Sequence, residues 1–228
     1  QRWPVTWIRL GIYYLLVWPA TWLLAKPTIR GRENLRGVRG PVLVVANHVT
    51  YVDIGCVLVA LPAFYRHRLA TAMKAERLYG MRHPPSEMNF FMRMVNRMDY
   101  FLVIALFNVF PLPKQSGFRE SFAFAGELAD RGWSVLVFPE GARTKDGKLA
   151  EFRGGIGLLA TRLNLPVVPV RIDGLWELAQ ARLAGKSSRL KPAPRGAVKV
   201  TIGAPVTFAA DTDAEEIARE LERRVKKL

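Results

Sequence analysis

At 228 residues the chain is long enough to bury one full hydrophobic core, and 50% hydrophobic with 23% charged residues describes an ordered, somewhat greasy globular domain rather than a disordered one. Its 34 Lys and Arg against 19 Asp and Glu leave a net charge of +15, which favours an anionic partner. The basic residues are scattered, with short clusters only at Arg66–Arg68 and Arg223–Lys227, so no nucleic-acid partner is expected; the single cysteine, Cys56, excludes an internal disulfide framework and fits a reducing compartment.

The first element is greasy. From Leu10 to Ala25 a run of 16 residues carries no charge, and as a helix it reaches roughly 24 Å, short of a hydrocarbon core of ~30 Å. Trp3, Trp7, Trp18 and Trp22 lie in this region; on an uninterrupted helix they share an arc of about 100°. Tryptophans along one side of an apolar helix suit the headgroup level of a bilayer. Pro19 breaks the run, so a short helical pair lying in the membrane interface is expected over residues 1–27, ahead of one domain over 28–228. A single span, a buried core helix and a signal-peptide remnant are the alternatives. Because the sequence opens at Gln1, a trimmed chain or a module of a longer one is expected.

Val42–Ala46 is an apolar run with strand character, and Asn47-His48-Val49-Thr50-Tyr51-Val52-Asp53 follows it directly. On a regular helix His48 and Asp53 would point roughly 140° apart. They meet if Asn47-His48 forms the strand's exit turn and Asp53 sits in the first turn of a helix over Tyr51–Leu61. A carboxylate on one ring nitrogen then fixes the tautomer and leaves the other nitrogen as a general base. The competing reading is an acidic residue that merely stabilises a helix N-terminus. Cys56, eight residues on from His48, raises a covalent Cys-His route, but its apolar neighbours place it inside the helix.

A strand is expected at Leu69–Met73. Met88–Phe107 then gathers four of the six methionines with Phe90, Phe91, Tyr100 and Phe101; it suits either a deformable lipid-facing surface or ordinary core. A weaker strand is expected at Phe107–Leu112, a helix at Gly117–Asp130 and a strand at Ser134–Phe138. Next comes Phe138-Pro139-Glu140-Gly141-Ala142-Arg143-Thr144. Pro139 ends the ladder and Gly141 allows a tight turn or close approach by a ligand. Arg143 offers a planar fork suited to phosphate, and Glu140 either pairs with it or accepts a bond from a substrate hydroxyl. Arg153 with Gly154-Gly155 either points a helix N-terminus at a phosphate or simply starts the helix Gly154–Leu163. Strands at Val167–Ile172 and Ala197–Ile202 follow, then a helix Asp213–Lys227 opening on a capping box from Thr212 to Glu215. The alternation predicts an α/β fold: a single domain with a mixed, mostly buried sheet flanked by helices, plus the N-terminal membrane-interfacial helices. No His, Cys or acidic spacing suggests a metal.

Taken in order, Asn47–Asp53, Phe110-Pro111-Leu112-Pro113-Lys114, Phe138–Thr144 and Leu165–Val170 resemble the motifs of the glycerophospholipid acyltransferase family that includes 1-acylglycerol-3-phosphate acyltransferase, over about Leu35 to Ile202. The resemblance implies transfer of a fatty acyl group from acyl-CoA or acyl carrier protein to a lysophospholipid, foremost the sn-2 hydroxyl of 1-acylglycerol 3-phosphate. No cofactor is needed beyond the donor. It makes His48 the general base and Asp53 its partner; Arg143 and Lys114, with Arg119 as a substitute, hold the acceptor's phosphate. Glu140, Gly141 and Thr144 shape the acceptor site, with Asn47 and Arg153 in support. Where the family has Asp-Arg this chain has Pro113-Lys114, which keeps another lysolipid or polar acceptor open. A non-catalytic lipid-binding protein is the rival from another class. The bilayer is the expected partner, at the cytoplasmic face of the cell membrane.

Overall fold

The computed structural model describes residues 3–112, 118–184 and 193–228. Helix α1 (Trp3–Ile12) runs through a π-helical turn, Tyr13–Val17, into α2 (Trp18–Leu24). The expected break at Pro19 is therefore absent, and one helical run replaces the pair. In the widened turn the Trp18 amide reaches back five residues to the Tyr13 carbonyl, which gives the Pro19 ring, without an N–H of its own, room to follow. Tyr13, Val17 and Thr21 are buried, whereas Trp7, Leu15, Leu16, Trp18 and Trp22 face outward. Arg9 and Tyr14 tie the run to the domain: the Arg9 guanidinium donates to the His67 carbonyl at 2.8 Å, and the Tyr14 hydroxyl lies 3.0 Å from His67 Nε2. Among the described residues, no helix is long and apolar enough to cross a membrane.

The domain continues with β1 (Thr28–Arg30), β2 (Leu43–Ala46), α3 (Asp53–Ala60), α4 (Ala63–Arg66), β3 (Leu69–Lys74), α5 (Ala75–Arg82), α6 (Phe90–Phe107) and β4 (Val109–Leu112). Its second half holds α7 (Phe118–Asp130), β5 (Ser134–Val137), α8 (Gly155–Leu163), β6 (Val167–Asp173), α9 (Leu175–Leu183), β7 (Lys199–Ile202) and α10 (Ala214–Lys227). The described strands form one seven-stranded sheet in the order β1-β7-β6-β2-β5-β3-β4. Every pairing is parallel except β6 with β7. This is the mixed, helix-flanked α/β sheet that the alternation of elements predicts.

Burial explains the central strands. In β2, Val44 and Ala46 pack with α3 on one face while Leu43 and Val45 pack with α8 and α10 on the other. All four residues are buried, so the strand reads as a continuous apolar run rather than an alternating one. Helix α10 buries Ile217, Leu221 and Val225 against α8. The two helices approach so closely at Gly157 that a side chain there would overlap the Ala214 carbonyl. The cap of α10 is Asp213, whose carboxylate accepts from the Glu215 and Glu216 amides; the expected Thr212 box is not what closes it. Asp one position later offers a charged acceptor at the positive end of the helix. The weaker strand shortens to β4 because α6 runs through Phe107 and stops at Asn108, in the left-handed region at φ 46°.

Of the two readings of Met88–Phe107, ordinary core does not describe most of it: the segment is largely the helix α6, with Phe107 at its end packed against the core. The Asn89 side chain caps α6 by accepting from the Met92 amide. Phe90, Phe91, Met94, Met98, Phe101 and Leu102 are exposed, Phe90 at 82% and Phe101 at 69%. At ~100° per residue they fill one stripe about 120° wide.

Candidate active site

Parallel pairing assembles the site. β2 lies between β5 and β6, in register Val45↔Val137 and Ala46↔Val170, so all three strands leave the sheet along the same edge. Open α/β sheets bind ligands outside the carboxyl ends of their strands. That edge carries Asn47-His48 after β2, Phe138–Thr144 after β5 and the last residues of β6.

Asn47 is buried and bridges to β6 in both directions: its amide donates to the Ile172 carbonyl at 2.9 Å and accepts from the Ile172 N–H at 2.7 Å. It anchors the exit turn on which His48 sits. The His48 ring stacks on Phe138 with centroids 4.4 Å apart, and its Nδ1 lies 2.7 Å from Asp53 Oδ2. Asp53 is the first residue of α3 and fully buried. It also accepts from the amides of Val49 and Thr50 and from the Thr50 hydroxyl. Four contacts on one carboxylate fix it in place, and with Nδ1 against Asp53 the ring turns Nε2 away from that carboxylate.

The Glu140 carboxylate is committed to the backbone. It is 5% exposed, and its two oxygens accept from the His48 amide at 2.6 Å and the Ala150 amide at 2.8 Å. Burial pushes its carboxyl above the usual range, and these two amides pull it back. The expected contact with the acceptor gives way to a brace that ties the His48 turn to a loop 92 residues away. Glu140→Gln puts an amino group against a backbone donor. It is expected to cost about 1–3 kcal/mol of stability, a fall in melting temperature of roughly 2–4 °C per kcal/mol for a chain of this size, measured by calorimetry.

Gly141 stands at φ 66°, and a β-carbon there would approach Arg153 Nε to 2.8 Å; its absence lets the Arg153 side chain lie over the turn. Thr144 is part of the frame as well. Its amide donates to the His48 carbonyl and its hydroxyl accepts from the Gly147 amide. It lines a small polar cavity of about 100 Å³ behind the His48 peptide, with Asn47, Lys148 and Arg171, and not the main one, so its expected role at the acceptor is not what the geometry supports. Arg119 is exposed at the start of α7 and lines neither cavity. Lys114 falls outside the described residues.

The main cavity, about 490 Å³, opens beside His48. Its mouth is polar, with Thr50, Tyr51, Lys74, Arg77, Arg143 and Arg153. Its depth is apolar, between Met73, Met81, Val103, Phe107, Leu112, Val137, Ile156 and Leu159. The Arg143 guanidinium stacks 3.6 Å from the centroid of the Tyr51 ring and donates to its hydroxyl at 2.8 Å; Arg77 lies 5.3 Å from the same centroid. The Arg77 guanidinium at the Tyr51 hydroxyl, reinforced by Arg143, draws that phenol below its ordinary pKa. For Lys74, Arg77 and Tyr51 the sequence offers only slight site signals: two cations within four residues of the strand Leu69–Met73, and the place of Tyr51 between His48 and Asp53. Cys56 is fully buried on α3, and burial pushes its thiol far above the ordinary thiol pKa, so it offers no thiolate to the cavity.

A family model described as Acyltransferase matches residues 26–173. A chloroplastic 1-acyl-sn-glycerol-3-phosphate acyltransferase from Brassica napus is 28% identical over 67% of this chain and 39% of its own length. One from Chlamydomonas reinhardtii is 30% identical over 73% of this chain and 43% of its own. The matched part of the chain thus spans about two fifths of these curated relatives. The crystal structure of the 1-acyl-sn-glycerophosphate acyltransferase PlsC from Thermotoga maritima shares the fold, with a TM-score of 0.62 at 23% identity, over 98% of this chain and 81% of that one.

Proposed function

This chain belongs to the Acyltransferase family, and on that premise we propose that it moves a fatty acyl group from acyl-CoA or acyl carrier protein to the sn-2 hydroxyl of 1-acylglycerol 3-phosphate, forming phosphatidate. The observation that carries the reading is the His48–Asp53 pair, a half-buried imidazole on a fully buried carboxylate, at the boundary between a cationic mouth and an apolar cavity. An amphiphile with an anionic head, a hydroxyl and an alkyl chain fits that sequence of surfaces. The names of the curated relatives support the acceptor.

The chemistry follows from the geometry. His48 Nε2 takes the proton of the acceptor hydroxyl as its oxygen attacks the thioester carbonyl. The tetrahedral adduct collapses, the C–S bond breaks, and the imidazolium returns the proton to the leaving thiolate. Asp53 holds the ring in place and stabilises the imidazolium that forms. A thioester is already activated, so no enzyme nucleophile enters.

Residues 1–27 act in this reading as an interfacial anchor to the domain 28–228. The outward Trp7, Trp18 and Trp22, the apolar stripe of α6 and the net charge of +15 suit an anionic cytoplasmic leaflet. Replacing both Met98 and Phe101 with glutamate is expected to lower partitioning onto anionic vesicles at least about tenfold, since each loses on the order of 1.5–3 kcal/mol of apolar burial; unchanged co-flotation would remove α6 from the membrane contact. The activity is tested by incubating purified protein with labelled acyl-CoA or acyl carrier protein and a panel of lysolipids. Labelled phosphatidate is the expected product, and no product with any acceptor would favour a lipid-binding scaffold.

A further inference from the structure

We propose that Arg66, His67 and Arg68, closed over by Arg9 and Tyr13 of the N-terminal run, form a second anion site that takes the phosphate of an anionic bilayer lipid and pins the run to the domain. The proposal rests on the interfacial placement above and not on the acyl-transfer chemistry. Arg66–Arg68 is one of the two basic clusters of the chain, and none of it lines the main cavity. It stands just before β3, whereas His48 follows β2. Because β2, β5 and β3 pair in parallel, the two lie at opposite edges of the sheet. The six residues of β3 span roughly 20 Å between those edges.

The site is built from both sides of a seam. From the domain, Arg66 Nη1 donates to the Tyr13 hydroxyl at 3.0 Å, and its guanidinium carbon lies 5.3 Å from the Tyr13 ring centroid. From the run, Arg9 donates to the His67 carbonyl at 2.8 Å and lies 4.6 Å from the centroid of Trp133. Arg68 Nη1 comes within 3.5 Å of where a β-carbon on the adjacent Gly132 would stand, so it reaches the same corner. Among the described residues, neither Arg66 nor Arg68 has an ion pair. Arg66 Nε is buried without a hydrogen-bond partner. Together Nε and Nη2 form the edge of a guanidinium that grips an oxyanion with two parallel bonds. A cavity of about 20 Å³, lined by Arg9, Tyr13, Arg66 and His67 among others, has room for one oxygen at that seam. Burial first, then the Arg66 and Arg9 charges, hold the His67 imidazole below its ordinary pKa, as a positive site would. The flanks select the occupant. Phe64, on the same turn as Arg66, is exposed, and Trp7 and Leu15 of the run face outward. A lipid phosphate brings alkyl chains to these surfaces, whereas a free phosphate brings none.

The test is an equilibrium titration of the full chain in which the His67 ring is followed by NMR. The probes are a short-chain phosphatidylglycerol below its micelle concentration, the matching phosphatidylcholine and inorganic phosphate. Phosphatidylglycerol is expected to bind most tightly and to raise the His67 pKa, since its negative charge offsets Arg9 and Arg66. Arg66→Gln together with Arg68→Gln should weaken it by about tenfold to a hundredfold, the loss of charge-assisted contacts, and remove the ligand-induced shift. Arg66→Gln also frees Tyr13, so Arg68→Gln alone, at an exposed position, is measured beside it and should cost about fivefold. Lys226→Gln with Lys227→Gln removes the same charge from the end of α10 and should leave both readouts as in wild type. The proposal is overturned if the arginine variants bind phosphatidylglycerol as wild type does, or if inorganic phosphate binds equally tightly. It is also overturned if the lipid leaves His67 unmoved, the result for a seam that holds only water. Loss of binding with Arg143→Gln and not with Arg66→Gln would place the anion in the main cavity and overturn it as well. Failure of the acyltransferase reading would register separately, as absent product in the labelled assay with this lipid binding preserved.

Discussion

Replacing His48 with alanine is expected to lower kcat by about 10²- to 10⁴-fold, the usual contribution of a positioned general base, while Cys56→Ala keeps most of the activity. The contrast follows from where the two side chains sit. The His48 imidazole stacks on Phe138 at the cavity mouth, with Nδ1 committed to Asp53. The Cys56 thiol is fully buried on α3, its pKa driven upward by burial and by the neighbouring Asp53 charge. A nucleophilic cysteine would have to be a thiolate within reach of the carbonyl, and this one is neither. Steady-state kinetics of both variants, with a rapid-quench search for an acyl-enzyme burst in the absence of acceptor, decide between the routes. A large loss with Cys56→Ala and a small one with His48→Ala would exclude direct attack by the lipid hydroxyl.

Asp53→Asn should cost a comparable factor, about 10²- to 10⁴-fold in kcat, and it should also lower stability. The Asp53 carboxylate, itself fully buried, accepts from His48 Nδ1, two backbone amides and the Thr50 hydroxyl. A carboxamide has one oxygen and one amino group, so at least one of those donors meets another donor. An unsatisfied buried group of this kind costs about 1–3 kcal/mol, or roughly 2–4 °C of melting temperature per kcal/mol for a chain of this size. The imidazole also loses the partner that fixes its tautomer. Calorimetry and kinetics on one preparation separate the two effects: wild-type kcat at reduced stability would leave Asp53 a purely structural cap of α3.

Glu140 shows how a motif residue can stand out in the sequence while its partners do not. Its place after a strand, beside proline and glycine, marks it as a site residue. Its bonds to the amides of His48 and Ala150 depend on β2 and β5 pairing in parallel, which no local pattern encodes. Thr144 and Arg119 diverge for the same reason. One is drawn back onto the His48 carbonyl, and the other, in the first turn of α7, is not among the residues lining the cavity. Among the elements, β1 passed unread because Thr28-Ile29-Arg30 has neither the length nor the apolar pattern of a strand; it exists because β7 offers it a parallel edge. Helices α5 and α9 were missed too, having only weak apolar periodicity of their own.

By itself the amino-acid sequence determined what short-range physics controls. That includes the apolar runs that must be buried on both faces as central strands, and the stripe Ile217-Leu221-Val225 of α10. It also includes the turn-then-helix spacing that lets His48 and Asp53 meet within five residues. Only the tertiary structure decided which distant cations stand beside that pair, which motif residues brace it, and that the methionine-rich helix turns one face to the cavity and leaves the other uncovered. The reason is physical. Periodicity and capping act within a few residues and are written locally, whereas the convergence of Tyr51, Arg77 and Arg143 depends on strand order and register, which the whole sheet fixes together.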